Sequence, residues 1–134
     1  MAVYALGELV PATTPETIGG LLFWWKMRKR IIKPQFWDSE KVAKLPIGAR
    51  LTFIGLWQMA DRAGHVRYNP KRIETQLYPY DGPLPIADWV EQMQEQGLVS
   101  LWRCSIHDHL VLTINGFCEH QSIHPNETAS IYES

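Results

Sequence analysis

Apolar residues in the middle of the chain recur at three- and four-residue spacing. Ile47, Leu51, Ile54, Trp57 and Ala60 keep that rhythm, the period of a buried helical stripe, and Phe53 and Leu56 widen it. The pattern predicts a central helix over residues 47–63. Pro46 suits its first position and Gly64 its stop. A shorter helix precedes it, entered at Asp38 or Ser39 as N-cap and closed by Leu45-Pro46. Phe36 and Trp37 sit ahead of that entry, where they would anchor the short helix on the core.

Downstream the period changes twice. Asn69-Pro70 places an N-cap residue before a proline at the first helical position, and the helix it opens carries Lys71 to Leu77. Residues 78–83 are dense in turn formers. Ile86, Trp89, Val90 and Met93 give a further helix over 85–96 its apolar face, and Gly97 ends it. Two strands follow over 98–104 and 110–115. In the second, Leu110, Leu112 and Ile114 alternate with Val111 and Thr113. Helices followed by a hairpin predict an α+β fold, a mainly helical winged helix-turn-helix with a C-terminal β-hairpin wing. Residues 28–118 carry that domain. Residues 1–27 read as an N-terminal extension without expected order, with Met27 as an alternative start, and residues 119–134 as an irregular tail.

Charge sharpens the picture. The net charge of the 134-residue chain is only −1, but its distribution is polar. Residues 26–72 hold twelve of the thirteen Lys and Arg, and residues 73–134 hold nine of the fourteen acids. Such a split fits a basic face toward nucleic acid, and fits equally two halves that attract one another. The strongest nucleic-acid signal is the run Lys26, Arg28, Lys29, Arg30 and Lys33, read as a flexible arm that neutralises phosphates. Lys71 and Arg72 open a helix whose free N–H groups favour phosphate. Arg62 and Arg67 flank the turn after the central helix and extend the same surface. The helix in the recognition position is acidic instead, with Asp88, Glu91 and Glu95, and this weakens simple base reading.

Other chemistry is thin. Cys104, His107, His109, Cys118, His120 and His124 include zinc-compatible spacings but match no recognised finger, so no metal or other cofactor is assigned. No nucleophile motif, phosphate loop or acid pair suggests an enzyme. The longest apolar run, residues 18–25, is too short to span a membrane, and two cysteines without a secretory start suggest the cytoplasm.

The segment Arg28-Lys-Arg-Ile-Ile-Lys-Pro-Gln-Phe-Trp-Asp38 resembles the entry of phage and prophage replication-initiation, or replisome-organiser, proteins. Leu45-Pro-Ile-Gly-Ala-Arg-Leu-Thr-Phe-Ile-Gly-Leu-Trp57 and Ala60-Asp-Arg-Ala-Gly-His-Val-Arg67 resemble their central helix and first strand. Asn69-Pro70, Gln76-Leu-Tyr-Pro-Tyr80, Gln96-Gly-Leu-Val99 and Asn115-Gly-Phe-Cys-Glu-His-Gln121 continue the likeness. The resemblance implies a winged helix that binds double-stranded DNA in the host cytoplasm, with a replisome partner. A docking module for a host protein, a transcriptional regulator and a homodimer are all compatible with the same residues. The apolar segment Leu21-Leu-Phe-Trp-Trp25 and the acidic surface of residues 86–108 favour the docking alternative.

Overall fold

The computed structural model describes residues 27–132; the expected extension over residues 1–26 lies outside them. Among the described residues, four short helices, two longer ones and three strands follow in chain order. They are α1 (Gln35–Asp38), α2 (Glu40–Ala43), α3 (Ile47–Met59), β1 (His65–Arg67), α4 (Pro70–Leu77), α5 (Ile86–Glu95), β2 (Val99–Cys104), β3 (His109–Ile114) and α6 (Phe117–His120). The fold is mixed α+β and predominantly helical, with one small antiparallel sheet toward the C-terminus. Among the described residues, no helix is long and apolar enough to cross a membrane.

Local chemistry places most helix ends where expected. Ser39 Oγ accepts the Val42 N–H at 3.3 Å and caps α2. Asn69 Oδ1 accepts the Arg72 N–H at 3.2 Å, and Pro70 fills the first turn of α4. Gly97, at φ 73°, ends α5 in the left-handed region. Phe36 anchors the entry, edge-on to Trp57 at 5.4 Å. Trp37 does not share that role, being 70% exposed.

The central helix departs from expectation in two ways. It ends at Met59 rather than Ala63, because Ala60 is extended (φ −72°, ψ 149°). Asp61 Oδ1 then accepts the N–H groups of Ala63 (2.9 Å) and His65 (3.0 Å), and this side-chain turn outcompetes another helical turn. Gly64 is therefore no helix stop. At φ 87° it marks a close approach, since a Cβ there would lie 2.6 Å from Phe117 Cβ.

The second departure is rotational. Ala49, Thr52, Phe53 and Leu56 face the core, whereas Ile47 and Leu51 are 78% and 57% exposed. Small residues decide the face. A Cβ on Gly48 would meet the Trp89 ring at 2.5 Å, and one on Gly55 would meet Leu77 Cδ1 at 2.5 Å. The neighbouring helices seat where α3 lets them come close, so shape outweighs side-chain size in setting the interface.

The sheet runs β1-β3-β2, every pair antiparallel. The register sets Val66 and Leu112 opposite each other and Val99 opposite Ile114, all packed in the core. Successive side chains alternate in direction, so His65, Arg67, Trp102, Val111 and Thr113 share the outer face. Val111 is nevertheless fully buried. The expected irregular tail is the reason: after α6 it returns over this outer face, where the Tyr132 ring lies edge-on to His65 and Trp102.

Candidate nucleic-acid interface

The basic run at the start of the domain is a strap rather than a free arm. The Arg28 N–H donates to the Gln58 carbonyl at 2.9 Å. The Gln121 side-chain amide bonds both the N–H and the C=O of Ile31, each at 3.0 Å. Lys33 Nζ donates to the Glu119 carbonyl at 3.2 Å. These bonds tie residues 28–33 to the end of α3 and to the segment from α6 to Gln121, and correct the expectation of a flexible arm.

Arg30 lies deepest in the strap, its side chain 4% exposed. Its Nε and Nη2 donate to the carbonyls of Trp57 (3.0 Å) and Ala60 (3.1 Å) at the end of α3, where helical carbonyls lack intrahelical partners. Its two terminal nitrogens fork onto the Glu127 carboxylate at 2.7 and 3.2 Å. The guanidinium carbon sits 5.0 Å over the Phe117 ring. Arg28 Nε also reaches Glu127, at 2.7 Å, and Arg62 donates to the Glu127 carbonyl at 3.2 Å. Three of the eight expected DNA-binding cations among the described residues thus gather on one internal residue. Lys29, by contrast, is exposed.

A second group of cations lies toward the turn end of the hairpin. Arg67 on β1, Lys71 and Arg72 in the first turn of α4, and Arg103 on β2 are all exposed. The charges of Arg67 and Arg72 both act on Tyr132, and those of Arg67 and Arg103 both act on His109. Arg103, which the sequence reading left out, lies near the same turn, but alternation puts it on the opposite face of the sheet from Arg67, and its guanidinium pairs with Asp108. Glu74 steadies the corner from below. Its Oε1 accepts the Leu84 N–H at 2.9 Å and its Oε2 lies 3.3 Å from Lys71 Nζ. The Leu84 bond first, and Lys71 second, hold the Glu74 carboxyl below the usual range.

Tyr132 lies against this corner. His109 Nδ1 faces the His107 carbonyl at 3.1 Å and must donate to it, so the neutral ring's Nε2 accepts the Tyr132 hydroxyl at 2.7 Å. His107 Nε2 meets the Ile131 carbonyl at 3.2 Å, and Ser130 donates to Asp61. Burial, then the nearby Arg67 charge, pushes His109 down from its ordinary value of 6.5. The docked tail consequently favours neutral His109. Its contribution is present above the ordinary value and is lost as pH falls through the lowered one. Protection of the Tyr132 amide against hydrogen exchange is expected to fall between about pH 7.5 and about pH 5.5, after correction for intrinsic rates. Equal protection at both values would contradict this coupling.

The remaining candidates do not converge. Among the described residues, no three His, Cys, Asp or Glu side chains form a metal-binding group. Cys104 is buried, while Cys118 is exposed and donates to the Arg62 carbonyl at 3.5 Å. A cavity of about 410 Å³ opens between the strap and the core, but Lys33 and Gln121 at its rim are engaged in the strap's own bonds. Asp88, Glu91 and Glu95 line the solvent side of α5, as expected. Sequence reasoning missed Glu127 and Tyr132, each a lone polar residue with no motif around it. No protein-family model matches the chain, and no curated protein or solved structure matches it either.

Proposed function

We propose that this domain is a winged helix that binds double-stranded DNA through its phosphates, in the manner of the phage replication-initiation proteins it resembles. The observation that carries the reading is the exposed set Arg67, Lys71 and Arg72 where β1 runs into α4, with Arg67 and Arg72 both near Tyr132 and Arg103 close to the hairpin turn. On this reading the β2–β3 hairpin is the wing, and the first turn of α4 presents its backbone N–H groups with two cations. The acidic surface of α5 repels phosphate, so that helix does not enter the major groove in the usual way. Binding follows the backbone and is weakly selective for sequence. Arg28, Arg30 and Arg62 serve the fold, and Lys29 and Lys33 lie with the strap.

Fluorescence anisotropy on a duplex at several salt concentrations tests this reading. About four phosphate contacts predict a logarithmic salt slope of about −3.6. A duplex that fails to bind at low salt would overturn it. In that event the row of exposed acids on α5 favours the second reading, a surface that docks a basic patch of another protein.

A further inference from the structure

The back of α3 carries an apolar stripe that the domain itself leaves uncovered. Ile47 and Leu51 are largely exposed, Ile54 is half-buried, and Gln58 continues the same row at three- and four-residue spacing. This row lies opposite the face formed by Ala49, Phe53 and Leu56. The strap begins at the C-terminal end of this row, because the Arg28 N–H bonds the Gln58 carbonyl at 2.9 Å. One residue earlier, Met27 Sδ accepts from Gln76 Nε2 of α4 at 3.1 Å, and Gln76 is buried. The chain therefore enters the domain along the flank between α3 and α4. Immediately upstream stand Leu21, Leu22, Phe23, Trp24 and Trp25.

We propose that the segment Leu21–Trp25 of the same chain covers the stripe formed by Ile47, Leu51 and Ile54. The lengths agree. From Gln58 back to Ile47 a helix rises about 16 Å, and seven residues upstream of Arg28 reach at most about 23 Å. The composition agrees as well. Five consecutive large apolar residues would meet Ile47 and Leu51, which face water, beside the half-buried Ile54. The tether makes this pairing intramolecular, so it outcompetes an equivalent contact between copies at ordinary concentrations. The contact does not depend on what the hairpin corner binds.

Paired cysteines in the full chain test the proposal. With Cys118→Ser as background, Leu51→Cys is combined in turn with a cysteine at each position from 21 to 25, and Ile106→Cys at the hairpin tip replaces Leu51→Cys in the control set. Both sites are exposed, so the fold tolerates them. Under mild oxidation at least one Leu51→Cys pair is expected to close within a single chain about tenfold faster than any control pair. Equal rates in the two sets would overturn the proposal. So would disulfides that form only between chains, which would give the stripe to a second copy.

Discussion

Arg30→Ala is expected to lower the free energy of unfolding by about 3 kcal/mol, the low end of the cost of breaking a buried ion pair, because Arg28 still faces Glu127. Both members are withdrawn from water, with side-chain exposures of 4% for Arg30 and 6% for Glu127. The loss has three parts that act together. Among the described residues Glu127 keeps Arg28 alone as an ion-pair partner, the carbonyls of Trp57 and Ala60 lose a donor, and the Phe117 ring loses its cation. Arg30→Lys restores the charge but not the planar fork, so it recovers only part of the loss. Arg28→Ala costs less, because its side chain is 22% exposed and Arg30 still holds Glu127. Urea unfolding of the three variants measures the series. A change below about 1 kcal/mol for Arg30→Ala, the scale of a surface pair, would show that the strap is not held in this way.

The combined variant Arg67→Ala, Lys71→Ala and Arg72→Ala carries the largest expected effect on binding. Each lost phosphate contact flattens the logarithmic salt slope by about 0.9, so three together flatten it by about 2.7. Affinity falls alike on unrelated sequences, because these contacts go to the backbone rather than to base edges. Stability changes little, since all three side chains are exposed. An unaltered slope in anisotropy titrations would remove the hairpin corner from the interface.

How far the sequence carried the fold depended on how local the cause was. Asn69-Pro70, Ser39 and Gly97 act through neighbours within a few residues, and the helix ends they mark stand where expected. The apolar face of α5 was legible because its polar positions are strongly polar, and Ile86, Val90 and Met93 are buried as read. The face of α3 was not legible. Nearly every position of that helix is apolar, so periodicity alone favours no side, and the decision falls to Gly48 and Gly55 through the packing of Trp89 and Leu77. Charge was the least legible feature of all. Arg30 and Glu127 meet across 97 residues of chain, and nothing near either one announces the other. A run of cations read as an arm is therefore partly a structural clamp. The surface proposed for DNA includes Arg103, near the hairpin turn, which looked incidental as the lone cation of its half.

The most direct test of the account is a map of amide chemical-shift changes when a short DNA duplex is added to the full chain. Changes are expected at Arg67, at Lys71 and Arg72, and from Arg103 to His109 around the hairpin tip. The amides of Asp88, Glu91 and Glu95 should stay still. Changes concentrated on α5 or along the strap from Arg28 to Lys33, with the hairpin corner silent, would contradict it.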